Sequence, residues 1–255
     1  MNESYSHRLE RASALLGCAR TVVAFTGAGI STASGLADFR SPGGLWDRHP
    51  VVTYGEFLQN EKARTRYWAM RRELIPALLA ARPNPAHQAL AAMESNGRLQ
   101  AVITQNIDGL HQQAGSVKVI ELHGTNMRAS CLDCGRAWPI AEIQSRLDGG
   151  DKVPRCAACG GLIKPDTVSF GQSLPEQALS EAFQWARSSD VLLMIGSSLA
   201  VQPAALIVPA AAESGAAVVF INQQETPYDS LAEIRFTEKA DRVLPKLVHG
   251  IFSQA

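Results

Sequence analysis

The sequence lacks an excess of charge of either sign. Its 24 Lys and Arg residues balance 24 Asp and Glu residues, and the formal net charge is zero. Because general attraction to nucleic acid depends on a basic surface, we expect no nucleic-acid partner. The chain also lacks an apolar run of the roughly 18 residues that a membrane helix needs. The longest candidate, 191–212, is interrupted by glycine, serine and proline, so we expect no membrane segment.

The first twenty residues lack the apolar core of a secretory signal, and the chain has no internal repeat or low-complexity segment. We therefore expect a cytoplasmic protein, and we expect it to be a monomer. Apolar residues make up 46% of the composition, as in a globular protein with a substantial core. A length of 255 residues fits one large domain or a domain with an inserted lobe.

Cysteine is scarce, and its placement is informative. Four of the five cysteines form two C-x-x-C pairs, each followed by glycine, and Cys18 stands alone in the predicted first helix. We expect Cys18 to be a buried core residue. Four thiolates suit one tetrahedral, structural Zn²⁺ and leave it no open coordination position; the alternative is four free or redox-active thiols. The predicted ligands are Cys131, Cys134, Cys156 and Cys159.

Short apolar runs rich in β-branched residues alternate with helical patterns. The runs predict strands at 21–26, 99–104, 117–122, 191–195 and 217–221. The helical patterns lie mainly at 3–19, 61–81, 86–95, 176–188 and 203–213. Strands that alternate with helices predict an α/β protein with a Rossmann-like, doubly wound parallel sheet.

Two stretches, 41–85 and 126–163, break this alternation. We interpret them as a helical insertion and a zinc-binding module that together form a smaller lobe. The larger lobe would then consist of 1–40, 86–125 and 164–255. Both lobes would belong to a single unit that spans 1–255.

A glycine-rich turn follows the first predicted strand and precedes a predicted helix. Gly27 and Gly29 allow a tight turn and a close approach to phosphate, as in dinucleotide-binding proteins. The third glycine of that fingerprint is replaced by Thr32, and the usual acidic ribose partner is not evident. An ordinary strand-to-helix turn is the alternative. Polar residues at 196–198 and 222 follow two more strands, and in a parallel sheet such ends share one site.

Several segments together resemble the sirtuin family of NAD-dependent protein-lysine deacylases. They occur in the family's order and cover nearly the whole chain. The matching segments are Gly27–Arg40, Thr104–His111, Glu121–Gly124, the four cysteines, Lys164–Gly171, Gly196–Ser198, Ile221–Asn222 and Ala240–Pro245.

The resemblance implies roles for individual residues. His123 would be the catalytic base, and Asn106 would join it in catalysis. Val168, Phe170 and Gly171 would bind an acylated protein as an extended peptide. The NAD-binding residues would be Gly27, Ala28, Gly29, Ser31, Asp38, Phe39, Arg40, Gln105, Asn106, Ile107, Asp108, Gly196, Ser197, Ser198, Asn222 and Ala240.

The implied reaction transfers an acyl group, most simply acetyl, from lysine to ADP-ribose. The amide oxygen of the acyl-lysine captures C1′ of the ribose as nicotinamide leaves, and a base then activates the 2′-hydroxyl. The products are nicotinamide, O-acyl-ADP-ribose and free lysine. Alternatives are mono-ADP-ribosyl transfer, NAD hydrolysis and a non-catalytic NAD sensor.

The acyl group is a separate question. Sirtuins that remove acidic acyl groups carry a tyrosine and an arginine three residues apart in the helical insertion. Alignment places Arg71 at the arginine and Trp68 at the tyrosine, so part of a carboxylate-binding pair would remain. A solvated helix face with a packed aromatic is the alternative.

Overall fold

The computed structural model describes residues 3–36 and 49–253. Within these ranges the helices are α1 (Tyr5–Cys18), α2 (Tyr54–Gln59), α3 (Glu61–Ala80), α4 (Pro85–Ser95), α5 (Leu110–Ala114), α6 (Ile140–Asp148), α7 (Glu176–Ser188), α8 (Ile207–Glu213) and α9 (Ala240–Phe252). The strands are β1 (Val22–Thr26), β2 (Ala101–Thr104), β3 (Val119–Glu121), β4 (Gly124–Cys131), β5 (Ala137–Pro139), β6 (Ile163–Thr167), β7 (Val191–Ile195), β8 (Ala217–Ile221) and β9 (Ala232–Phe236). Short 3-10 turns occupy Ala28–Ile30, Thr32–Ser34, Ala204–Leu206 and Asp229–Leu231.

Six strands form a sheet in the order β3-β2-β1-β7-β8-β9, and every neighbouring pair is parallel. The predicted α/β fold is therefore confirmed. Strand order runs outward from β1 in one direction and from β7 in the other. The boundary between β1 and β7 is thus a topological switch point, and ligands of such sheets bind beyond the carboxyl ends of the strands there.

Helices cover both faces of this sheet. Alternate residues of β1 face opposite sides, so Val22 and Ala24 join a core with α1, α4 and α9. Val23 and Phe25 join a second core with α7 and α8. Because both faces are covered, the central strands are continuous apolar runs without an alternating pattern.

Two elements near the end of the chain, an edge strand and a helix on one face of the sheet, were missing from the sequence interpretation. β9 has the sequence Ala-Glu-Ile-Arg-Phe, whose charges mask the strand pattern at an edge position. The stretch 240–245, which was assigned to no predicted helix, is the beginning of α9. The apolar stripe of α9 is buried against the sheet at helical spacing by Val243, Leu244, Leu247 and Ile251.

A second sheet, β5-β4-β6, is antiparallel and lies in a separate lobe with α2, α3 and α6. Its core contains Phe57, Trp68, Ile75, Ile143 and Ile163. Residues 164–167 were predicted to belong to the larger lobe. They pair with β4 in this second sheet, because the antiparallel ladder between β4 and β6 extends to Thr167.

The first helix differs from expectation at its end. Cys18 is exposed, which corrects the prediction of a buried residue. α1 buries Ala12, Ser13 and Leu16, and Cys18 lies off that stripe. Among the described helices, none combines the length and apolar character needed to cross a membrane.

Candidate active site

The glycine turn after β1 packs directly on the end of β7. The backbone N–H of Gly29 donates to the oxygen of Gly196 at 2.8 Å, and Gly27 donates to Ile195 at 2.9 Å. A Cβ on Gly29 would lie 2.7 Å from the Cα of Gly196, and one on Gly27 would lie 2.7 Å from the Gly196 oxygen. The glycines are therefore needed for the close approach of two loops. Two 3-10 turns follow, where the sequence had predicted a helix.

A cavity of about 830 Å³ opens at the carboxyl ends of β1, β2, β7 and β8. Most of the predicted NAD-binding residues line it: Gly27, Ala28, Gly29, Gln105, Asn106, Ile107, Gly196, Ser197, Ser198, Asn222 and Ala240. Ser31 and Asp108 are buried beside these residues, and Ser31 accepts from Asn106 and donates to Asp108. Asp38, Phe39 and Arg40 lie outside the described residues.

The floor of the cavity holds a buried polar network around Asn106. The amide nitrogen of Asn106 donates to the Gly27 oxygen and to Ser31 Oγ, both at 3.1 Å. Ser31 Oγ in turn donates to Asp108 Oδ2 at 2.7 Å. Both amide hydrogens of Asn106 thus donate within the protein. Its side-chain oxygen is the group that can accept a hydrogen bond from a ligand. With the Asp108 carboxylate beside it, this end of the cavity suits a ligand that donates N–H groups.

Two buried histidines, His87 and His111, lie next to this network. His87 lies at N3 of α4, where a reciprocal capping interaction with Asn84 directs its ring inward. Its ring centroid lies 4.9 Å from that of His111 on α5. Burial lowers the pKa of His87 to about 4 although Asp108 opposes the shift, and burial lowers the pKa of His111 to about 3. Both are neutral at pH 7.

His123 follows β3 and lies on the cavity wall. Its Nδ1 lies 2.9 Å from the backbone oxygen of Gln105. A carbonyl oxygen accepts only, so Nδ1 carries a hydrogen, and in the neutral ring the lone pair is then on Nε2. Gln105 also donates from its side chain to Ser197 Oγ at 2.7 Å, which joins the ends of β2 and β7. The ring is therefore oriented as a base.

The segment 168–171 forms another part of the wall. Val168, Phe170 and Gly171 all line the cavity, and Phe170 is 46% exposed. The N–H of Val168 donates to the His123 oxygen, and the Phe170 oxygen accepts from Tyr54 N–H, each at 2.8 Å. An added peptide strand would have to use the other backbone groups of this segment.

Helix α3 presents Tyr67, Met70, Arg71 and Leu74 to the cavity. Trp68 is not on the wall: it is fully buried in the core of the small lobe. This corrects its assignment to the substrate site. Successive helix residues point about 100° apart, so Tyr67 and Trp68 face different directions. The i, i+4 spacing of Tyr67 and Arg71 puts these two side chains on the same face of the helix.

Arg71 is buried and engaged by neutral groups. It donates to Asn126 Oδ1 at 2.8 Å and to Thr167 Oγ1 at 3.1 Å, and its guanidinium lies 4.8 Å from the ring centre of Tyr67. Nearby Lys164 donates to the oxygens of Pro165 and Thr167. Burial and then the charge of Arg71 lower the pKa of Lys164 to about 8. Arg71 thus joins α3 to β4 and β6.

The four paired cysteines lie together in the small lobe, and none of them lines the cavity. Their sulfur atoms are all within 4.8 Å of one another; Cys131 and Cys159 are 3.5 Å apart, and Cys134 and Cys156 are 3.7 Å apart. Four sulfurs at about 2.3 Å from one zinc ion would be about 3.8 Å apart. The donor set therefore fits one structural zinc ion.

The two C-x-x-C turns have the same backbone geometry. Gly135 N–H donates to the Cys131 oxygen at 3.0 Å, and Gly160 N–H donates to the Cys156 oxygen at 2.8 Å. Both glycines have left-handed φ angles, +73° and +75°. Glycine is favoured at such positions, which explains why it follows each cysteine pair.

A parallel α/β sheet with a cavity at its switch point, joined to a four-cysteine module, defines a nucleotide-binding protein with a zinc-ribbon lobe. The chain belongs to the Sir2 family, whose family model matches residues 27–203. A relative from Thermodesulfovibrio yellowstonii, named an NAD-dependent protein deacetylase, is 47% identical over 254 residues, with 100% of this chain and 99% of the relative covered.

Solved Sir2 structures share the fold. One, a Sir2 protein with a p53 peptide and NAD⁺, is 37% identical with a TM-score of 0.85, covering 92% of this chain and 95% of that chain. Another, with a deacetylated p53 peptide and 3′-O-acetyl-ADP-ribose, is 36% identical with a TM-score of 0.89, covering 94% and 97%.

Proposed function

We propose that the chain is an NAD-dependent protein-lysine deacetylase, which converts NAD, acetyl-lysine and water into nicotinamide, O-acetyl-ADP-ribose and lysine. One observation carries the proposal. His123 is held through Nδ1 by the Gln105 oxygen and presents Nε2 as a base on the same cavity that ends in the Asn106 network. The relative named as a deacetylase and the Sir2 complexes with NAD⁺ and with O-acetyl-ADP-ribose support this reaction.

We place the nicotinamide end of NAD at Asn106, Ile107 and Asp108. A primary carboxamide has two N–H donors, which the Asn106 side-chain oxygen and the Asp108 carboxylate can accept. The adenosine half would lie along Gly196, Ser197, Ser198, Asn222 and Ala240 at the ends of β7 and β8. Asp38, Phe39 and Arg40 are assigned to the cofactor loop on the resemblance alone.

The carboxamide contacts would hold the nicotinamide ring while its bond to ribose breaks. Gln105, which joins β2 to β7, would position the ribose so that the amide oxygen of acetyl-lysine attacks C1′ in line. Nε2 of His123 would then accept the proton of the 2′-hydroxyl, which attacks the captured acyl carbon. A neutral imidazole suits this step at pH 7.

We assign Val168, Phe170 and Gly171 to binding of the substrate as an extended peptide beside the base. We propose acetyl as the acyl group, which the name of the deacetylase relative and the complex with O-acetyl-ADP-ribose support.

The zinc ion would be held by Cys131, Cys134, Cys156 and Cys159 and would stabilise the small lobe. Since a four-thiolate site persists in a reducing compartment, we propose that the protein acts in the cytoplasm. We also propose that a monomer suffices, because one chain supplies the base, the nicotinamide site and the peptide segment.

The test is incubation of the purified chain with NAD and an acetyl-lysine peptide, with products identified by mass spectrometry. We expect deacetylated peptide and O-acetyl-ADP-ribose in equal amounts, and neither product without NAD. ADP-ribosylated protein would indicate mono-ADP-ribosyl transfer, and ADP-ribose alone would indicate NAD hydrolysis. An absence of turnover with bound NAD would indicate a sensor.

A further inference from the structure

We infer that Lys164 is a positioning residue for the substrate peptide: its ammonium group holds the carbonyl of Thr167, the last residue of β6, from which the peptide-binding segment 168–171 begins. This inference rests on the proposed function. Lys164 is only 3% exposed and is not on the cavity wall, so it touches no substrate and acts through Thr167.

The ladder between β4 and β6 is interrupted just before the peptide segment. Pro165 pairs with Ala129, but the next pair is Thr167 with Gly124, so the four residues 125–128 of β4 lie opposite Asp166 alone. Pro165 also has no N–H to donate across the ladder. Regular strand pairing therefore does not fix the end of β6.

The side chain of Lys164 supplies hydrogen-bond donors at this interruption. It extends along its own strand, and Nζ donates to the carbonyl oxygen of Pro165 at 3.1 Å and to that of Thr167. Burial of an ammonium group costs free energy, and the neighbouring Arg71 charge opposes it further, as the lowered pKa of Lys164 shows. Two carbonyl acceptors offset this cost, because hydrogen bonds from a charged donor are stronger than those from a neutral one.

Thr167 is held from a second direction by Arg71, whose guanidinium donates to Thr167 Oγ1 at 3.1 Å. Lys164 thus fixes the backbone of Thr167, and Arg71 fixes its side chain. The Lys164 ammonium also lies 5.9 Å from the ring centre of Tyr54. These contacts connect α2, α3 and β6 behind the peptide segment.

The peptide segment itself is held at two further points. Val168 N–H donates to the His123 oxygen, and Tyr54 N–H donates to the Phe170 oxygen, each at 2.8 Å. A peptide that adds as a strand needs the backbone of 168–171 in one fixed orientation beside the base. Without the Lys164 donor, the peptide bond after Thr167 is free to rotate, and peptide binding must then include the cost of ordering it.

The adenosine end of the cavity has separate supports at Gly196, Ser197 and Asn222. Loss of the Lys164 donor should therefore weaken peptide binding and leave NAD binding unchanged. Two substitutions separate this role from simple filling of space. Lys164→Met keeps a long, unbranched side chain but has no donor. Lys164→Arg keeps charged N–H groups that reach the same carbonyls.

The experiment measures kcat, the KM for acetyl-lysine peptide, the KM for NAD and the melting temperature. We expect Lys164→Met to raise the peptide KM about tenfold, as for loss of one buried hydrogen bond from a charged donor. The kcat at saturating peptide and the NAD KM should stay within about twofold of wild type. Lys164→Arg should restore the peptide KM to within about threefold. Lys152→Met, at an exposed lysine of the same lobe, is the matched control.

A wild-type peptide KM in Lys164→Met would overturn the inference. Equal losses in Lys164→Met and Lys164→Arg would overturn it as well, since the donor would then not be what matters. The same holds if kcat, both KM values and the melting temperature change together, because that would assign Lys164 to folding alone. A wild-type chain that binds NAD but does not deacetylate the peptide would instead overturn the proposed function and, with it, this inference.

Discussion

His123 Nδ1 and the backbone oxygen of Gln105 are 2.9 Å apart, so a strand-end carbonyl orients the ring of the proposed base. The same residue, Gln105, reaches Ser197 through its side chain. Gln105 therefore both orients the ring of the base and connects the ends of β2 and β7, where NAD is proposed to bind.

His123→Ala should lower O-acetyl-ADP-ribose formation by about 10²–10⁴-fold, because the 2′-hydroxyl loses its base. Nicotinamide exchange should fall less, since nicotinamide leaves before the base acts. The residue is half-buried on the cavity wall, so the melting temperature should change little. Product analysis beside an exchange assay checks this; a variant with wild-type deacetylation would contradict the assignment.

Gly29→Ala should abolish NAD binding or destabilise the chain, because its Cβ would lie 2.7 Å from backbone atoms of Gly196. Gly55→Ala is the control, since nothing lies within 4 Å of a Cβ there and the residue is in helix α2. That change should stabilise the chain by about 0.5–1 kcal/mol. Calorimetric NAD titration and thermal melts test both; normal NAD affinity in Gly29→Ala would refute the close-approach argument.

Removal of zinc should unfold the small lobe, because its four-cysteine site joins two loops that have little core of their own. We expect about one zinc ion per chain by elemental analysis, and loss of it in Cys134→Ser. Cys18→Ser, at an exposed site away from the cluster, should keep the metal. Near-ultraviolet circular dichroism should report loss of tertiary signal on chelation; an unchanged, metal-free fold would exclude a structural role.

Arg71→Met should reduce deacetylation of acetyl-lysine peptides, because it breaks the contacts with Asn126 and Thr167 while keeping much of the side chain's volume. Buried hydrogen bonds of this kind contribute about 1–3 kcal/mol, so a loss of about tenfold or more is expected. Arg72→Met, on the exposed face of the same helix, is the control. If Arg71→Met lost activity toward succinyl-lysine while keeping it toward acetyl-lysine, Arg71 would instead be a reader of acidic acyl groups.

Stability should fall as the pH drops below about 6.5. The pKa values of His87 and His111 are lowered to about 4 and about 3 in the folded chain, so the unfolded chain binds more protons between those values and the ordinary pKa of 6.5. In that pH range each histidine should lower the free energy of unfolding by up to about 1.4 kcal/mol per pH unit. Denaturant melts at several pH values should show that the free energy of unfolding falls less steeply with decreasing pH in His87→Gln than in the wild type. An identical slope would show that His87 is not neutral in the folded chain.

The sequence by itself determined the α/β class, the zinc ligands and the approximate site. Fully buried parallel strands need continuous apolar runs, and metal ligands need paired cysteines, so both leave strong local patterns. The resemblance added the base His123 and the NAD-binding loop. Edge strand β9 and helix α9 were missed because charges and a proline obscure their patterns.

Only the tertiary structure decided which side chains meet. Helix α3 turns Tyr67 toward the cavity and Trp68 into the core, and sequence spacing alone did not choose between them. His87 and His111 are 24 residues apart, and their meeting behind Asn106 depends on how α4 and α5 pack. Hydrogen-bond partners also decided the tautomer of His123. Long-range contacts of this kind leave no local pattern in the sequence, because each depends on the packing of distant segments.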